Sequence, residues 1–177
     1  LNAASTEKLS FEQSVFAHSP TPCSPNLCIP NLSAQTISDY CMKKIQEKPK
    51  ALTLIEGIGG WLCPINQTDT MAEAILPLNC PIILVIGIKL GCLNHALLTM
   101  HAMQQQKAPL IGWIANCMDP NMSMLEDNID YLKNKLPAPC LATIPLTQTP
   151  AEASQPLMQT VAWLTKQHIL TKDCSHD

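Results

Sequence analysis

The sequence has no lysine or arginine cluster beyond Lys43-Lys44 and carries a formal net charge of −3, so it offers no electrostatic footprint for nucleic acid. It also lacks a long apolar run. Pro81–Gly87 is far too short to span a bilayer, and Leu1 opens no charged-then-apolar leader. The expectation is a soluble, cytoplasmic protein with neither a membrane nor a nucleic-acid partner. No Cys-x-x-Cys occurs, and the nine cysteines are odd in number, which supports neither a disulfide framework nor a zinc site. Cys63, Cys80, Cys92, Cys117 and Cys140 lie in or beside apolar segments, where a reduced cysteine behaves as a small hydrophobe. Core packing is the default for them. Cys23 and Cys28 form the only close pair, where a functional disulfide is the alternative.

What is present describes a globular chain. With 177 residues, 46% of them hydrophobic and 14% charged, it can bury a sizeable core as one domain over residues 1–177. Residues 1–32 read as an irregular proline-rich lead-in and 171–177 as a loose polar tail. Ser33–Glu47 has apolar residues at helical spacing, with Ser33 placed to cap it. Thr70-x-x-Glu73 and Ser123-x-x-Glu126 have capping-box spacing, Pro77 stops the first of these helices, and Leu125, Ile129, Leu132 and Leu136 stripe the second. Ile82–Ile86, apolar throughout, reads as a strand in the middle of a parallel sheet; Leu110–Asn116 and Leu141–Ile144 read as further strands. A helix opens at Gly91–Asn94 and runs to about Gln105, and a last one is predicted from about Ser154 to Leu170, burying Leu157, Val161 and Leu164.

The organising stretch is Ala51-Leu-Thr-Leu-Ile-Glu56-Gly57-Ile58-Gly59-Gly60-Trp61, which reads as a buried strand running into a carboxylate and a glycine turn. Glu56 is then expected at the carboxyl end of a strand, where open α/β sheets place ligands, and glycines there let backbone approach a phosphate. A plain turn is the other reading. Strands and helices alternate from Ala51 onward, which gives the fold class: α/β, a parallel sheet with helices on both faces.

Glu56-Gly-Ile-Gly-Gly-Trp61, Gly87-Ile-Lys-Leu-Gly91-Cys92-Leu93-Asn94-His95, Gly112-Trp-Ile-Ala-Asn116 and Leu136-Pro-Ala-Pro139 follow in the order found in dethiobiotin synthetases, and the chain resembles that family from Leu1 to Glu152. The run from Gly87 to Thr99 is its most specific part. The resemblance implies a P-loop NTPase-like sheet, Mg²⁺, and ATP as co-substrate. It implies further that CO₂ and 7,8-diaminopelargonate are joined and closed into a ureido ring in biotin biosynthesis. By resemblance Glu56 is a magnesium ligand, and Glu56, Gly57, Ile58 and Gly59 meet the phosphate end of ATP. Asn116, Cys117, Pro145, Leu146, Thr147 and Glu152 surround its adenine and ribose, Cys117 through its backbone alone. Gly91, Cys92, Leu93 and Asn94 hold the substrate carboxylate from the partner subunit of a homodimer. A helix cap by Asn94 is compatible with that role. His95 and His101, six apart, fall on different helix faces and make no metal pair.

The phosphate-gripping Gly-x-x-x-x-Gly-Lys-Ser/Thr does not occur in this sequence. By resemblance that loop and the catalytic lysine belong to an opening βαβ unit ahead of Leu1, so the expectation is an N-terminally incomplete domain with no catalytic residue retained. Two other readings stand beside the ligase. One is a non-catalytic α/β module that needs a separate P-loop part. The other is a more distant P-loop relative, a cobyrinate amidase-type synthetase or a partitioning ATPase, against which Gly91–His95 argues.

Overall fold

The structure, a computed structural model, describes residues 9–47, 52–147 and 149–167. The chain divides into two compact units, Leu1–Asn79 and Cys80–Asp177.

The Cys80–Asp177 unit is built on a parallel three-stranded sheet, with β1 Ile82–Ile88, β2 Leu110–Cys117 and β3 Cys140–Ile144 in that spatial order. Parallel neighbours require crossovers, supplied by α5 Cys92–Gln105 and α6 Leu125–Lys135. Ile86 and Ile88 alternate onto one face of β1, and Trp113, Ala115 and Cys117 onto one face of β2. Cys92, Ala96 and Met100 of α5 and Ile129 and Leu132 of α6 close over them. Trp113 is fully buried, and its indole N–H, which would otherwise be stranded, donates to the Ala138 carbonyl at 3.1 Å. On β3, the buried Thr160 hydroxyl donates to the Leu141 carbonyl at 2.9 Å and ties down α8 Leu157–Lys166.

Several expectations are corrected here. Among the described residues β1 is an edge strand with Val85 60% exposed, not a central one, because no strand pairs with its outer side. Ser123 caps nothing. Met124, in the left-handed conformation at φ 56°, takes the N-cap place of α6, so the Ser-x-x-Glu box is out of register with the helix. The last helix is broken into α7 Pro150–Ser154 and α8, with Pro156 at the break, since proline cannot donate an interior helical hydrogen bond. Val161 lies on its exposed side, while Leu157 and Leu164 are half-buried. Residues 168–170 and the tail 171–177 lie outside the described residues.

The Leu1–Asn79 unit is helical and irregular: α1 Phe11–Ser14, α2 Pro25–Cys28, α3 Ala34–Glu47, α4 Met71–Ile75 and a 3₁₀ turn Leu76–Leu78 that carries Pro77. Its core joins Leu32, Ala34, Ile37, Cys63, Ile65, Met71 and Ala74. Ser33 Oγ accepts from the Thr36 amide at 3.2 Å, as a cap should, and the Glu73 carboxylate accepts from both the amide and the hydroxyl of Thr70. Asp69 binds the unit across a long sequence gap. Its carboxylate accepts from the Ala34 amide at 3.0 Å, the Asn66 amide at 3.0 Å and the Thr68 hydroxyl at 2.9 Å, and the first of these holds its pKa below the ordinary value. Against expectation Cys23 and Cys28 are paired as a disulfide, with Cα atoms 6.4 Å apart. No helix among the described residues is long and apolar enough to cross a membrane.

The expected strand ahead of Glu56 does not form. Residues 52–57 are irregular, and Leu52 and Leu54 are 59% and 73% exposed. A strand buried on both faces exists only where neighbours accept its ladder, and none among the described residues pairs with this segment.

Candidate functional site

Parallel pairing puts the carboxyl ends of β1, β2 and β3 on one edge of the sheet. Gly87 is the register partner of Asn116, and Asn116 that of Ile144, so Asn116 stands half-buried between the ends of the two outer strands. Open α/β sheets place ligands outside such an edge. Cys117 is buried next to it. Burial, helped by the charge of Glu126, pushes its thiol above the ordinary range, which favours the neutral thiol over the thiolate.

Past β3 the chain runs through Pro145, Leu146 and Thr147 to α7, where the Thr149 hydroxyl accepts from the Glu152 amide at 3.3 Å. Pro145, Thr147, Ala151, Glu152, Gln155 and Pro156 line a shallow, open cleft of ≈ 440 Å³. Leu146, between two of these residues in sequence, is 57% exposed and does not line the cleft. Three residues singled out in the sequence, Pro145, Thr147 and Glu152, thus meet in one cleft; Asn116 and Cys117 do not line it. Gln155 was missed. The signal for it was Pro156, which interrupts the helical pattern at the junction of α7 and α8 and also lines the cleft.

At the end of β1, Gly91 is the N-cap of α5 at φ 90°, a conformation that suits glycine and strains any side chain with a Cβ. The Cys92 amide is used by the Lys89 carbonyl at 2.9 Å and the His95 amide by the Gly91 carbonyl at 3.3 Å, leaving the Leu93 and Asn94 amides at the open end of the helix. Cys92 is buried, Leu93 half-buried and Asn94 exposed. Asn94 lies within the first turn and is not the cap, a correction that follows from Gly91 taking the left-handed cap position.

In the other unit, Glu56, Gly57, Ile58 and Gly59 are all exposed. Gly59 and Gly60 both have positive φ, 74° and 103°, and a Cβ on Gly59 would strike the Cys63 sulfur. Glycine is therefore required at Gly59 by both backbone and space. Among the described residues no group of three His, Cys, Asp or Glu side chains stands ready for a metal ion. Glu56 alone cannot enclose one. A single exposed carboxylate does fit Mg²⁺, which takes one or two carboxylates and completes its shell with water and phosphate oxygens.

A family model described as an AAA domain matches residues 5–153, most of the chain. The ATP-dependent dethiobiotin synthetase BioD of Cellvibrio japonicus is 42% identical over 123 residues, covering 69% of this chain and 53% of that protein. Proteins of the same name from Pseudoalteromonas translucida and Aeromonas hydrophila are 48% and 39% identical, covering 61% and 63% of this chain and 48% and 50% of theirs. The chain spans about half the length of the curated relatives it matches. It belongs to the AAA domain family, an α/β chain whose relatives are ATP-dependent dethiobiotin synthetases.

Proposed function

We propose that this chain is part of a cytoplasmic, homodimeric cyclo-ligase of biotin biosynthesis, which uses Mg-ATP and CO₂ to convert 7,8-diaminopelargonate to dethiobiotin. The observation that carries this reading is the cleft of Pro145, Thr147 and Glu152 beside a strand edge topped by Asn116, in a chain whose relatives bear that enzyme's name.

In this reading the strand ends of the Cys80–Asp177 unit serve adenosine. The Asn116 amide offers a donor and an acceptor to a base edge, and Glu152 accepts from a ribose hydroxyl. Leu146 gives apolar area to the base. Gly91, Cys92, Leu93 and Asn94 serve the substrate carboxylate across a dimer contact, through the free amides and positive end of α5. In the Leu1–Asn79 unit Glu56 would hold Mg²⁺, which when bound neutralises phosphate charge, while Gly57, Ile58 and Gly59 let the backbone approach that charge. The chemistry adds CO₂ to one amine, transfers the γ-phosphoryl group to the resulting carbamate, and lets the second amine displace phosphate. In phosphoryl transfer the protein contributes chiefly positioning and charge neutralisation. A second reading, a module that acts only with a separate phosphate-binding part, is favoured by the lack of Gly-x-x-x-x-Gly-Lys-Ser/Thr in this sequence.

Saturation-transfer NMR with ATP tests the adenosine assignment. Asn116→Ala and Glu152→Ala should each weaken binding by about tenfold, the scale of one lost hydrogen bond to a ligand. Unchanged affinity in both variants would remove these residues from the nucleotide.

A further inference from the structure

We propose that Cys23 and Cys28 are a reversible thiol–disulfide pair whose closure orders the turn from Gly59 to Cys63. Cys23 precedes the cap of α2 and Cys28 is its last residue, with Cα atoms 6.4 Å apart, inside the span a disulfide bridges. Cys23 is exposed and Cys28 half-buried, so a small-molecule disulfide meets Cys23 first. Its thiolate attacks glutathione disulfide and displaces one glutathione thiolate; Cys28 then attacks the Cys23 sulfur and displaces the second. Two protein thiols are oxidised, one glutathione disulfide is reduced, and the protons go to the two departing thiolates.

The segment that this bond closes touches the turn directly. Ser24, next to Cys23, has its hydroxyl 3.9 Å from the Cys63 sulfur. Ile29, next to Cys28, packs on the cluster that contains Cys63, Ile65 and Met71. Cys63 is in turn the fulcrum of the glycine turn: its amide donates to the Gly60 carbonyl at 3.1 Å, its carbonyl accepts from the Met71 amide at 2.8 Å, and its sulfur fills the space opposite Gly59. Fixing Ser24 and Ile29 therefore limits the excursions in which Cys63 leaves its place. Opening the bond returns freedom to a segment held by few backbone hydrogen bonds. The inference concerns order in the turn alone and stands whatever ligand that turn serves.

The test uses the full chain in glutathione buffers of fixed ratio. Alkylation and mass spectrometry should find Cys23 and Cys28 joined in the oxidising buffer and both alkylated after dithiothreitol. Hydrogen exchange at the Cys63 and Met71 amides should be slower in the oxidised form by about tenfold. Cys28→Ser, at a half-buried position, and Cys23→Ser, at an exposed one, should each abolish the difference. Absence of the pair, arrest at a glutathione adduct, pairing of either cysteine with Cys63, or a formed pair with unchanged exchange would each overturn the proposal.

Discussion

The Cys80–Asp177 unit and the Leu1–Asn79 unit meet the same demand, partners for their buried polar groups, by different means, and the second leaves Asn26 Oδ1 buried without a hydrogen bond. In the first, parallel ladders and two amphipathic helices absorb the backbone, and side-chain hydrogen bonds such as Trp113 to Ala138 are few and terminal. In the second no strand ladder is present among the described residues, and the polar side chains of Ser33, Asn66, Asp69 and Glu73 hold helix starts and loops together. The first kind of unit is sensitive to volume, the second to charge.

The largest effect expected is in the sheet. Trp113→Ala empties a fully buried site beneath α5 and α6 and should cost about 3–5 kcal/mol in chemical denaturation followed by circular dichroism. Near-native stability would mean that this core is not packed as described. Overfilling the same sheet should do less. A Cβ on Gly112 would come 2.5 Å from Leu141, so Gly112→Ala should cost about 1–3 kcal/mol by the same measurement, and an unchanged midpoint would show that the Leu141 side chain yields.

A smaller, pH-dependent effect is expected in the polar unit. The pKa of Asp69 is lowered in the folded chain by the Ala34 amide, then by Asn66 and Thr68, so its stabilisation is present above the ordinary Asp value of 3.8 and is lost as pH falls through the lowered folded value. Asp69→Asn should therefore reduce protection of α3 amides at neutral pH and make their acid-induced loss shallower. Glu73, also held low by Thr70, keeps titrating in the variant, so the flattening is partial. Hydrogen exchange over residues 34–47 across the acid range checks this, and an unchanged pH profile would detach Asp69 from the start of α3.

Legibility in the sequence did not follow that division. The helix Ala34–Glu47 and the strands ending at Cys117 and Ile144 were visible because period and burial coincide there. Ala51–Glu56 was misread because an apolar run specifies a strand only if neighbours are there to pair with it, and Leu52 and Leu54 stay exposed. The Asp69 to Ala34 bond joins residues 35 apart by geometry that no local pattern announces, whereas the Cys23–Cys28 pair was visible as a close spacing but not as a bond. Ser123-x-x-Glu126 had the right spacing and the wrong register, because Met124 turns left-handed before α6 begins. Of the candidate site, Pro145, Thr147 and Glu152 came together as a cleft, whereas the Asn94 cap gave way to Gly91.

The proposed function has this chain contribute magnesium-binding and adenosine-binding groups to a dethiobiotin-forming ligase, acting together with a phosphate-binding part. The direct measurement is dethiobiotin formation from 7,8-diaminopelargonate, CO₂ and Mg-ATP. It compares the chain alone with the chain joined behind the opening half of the Cellvibrio relative, and with Glu56→Gln in the joined protein. Expected are no turnover by the chain alone, turnover by the joined protein, and a weakened magnesium dependence with at least about tenfold loss of rate in the Glu56→Gln form. Turnover by the chain alone within about tenfold of the joined protein, or a magnesium titration unchanged by Glu56→Gln, would contradict it.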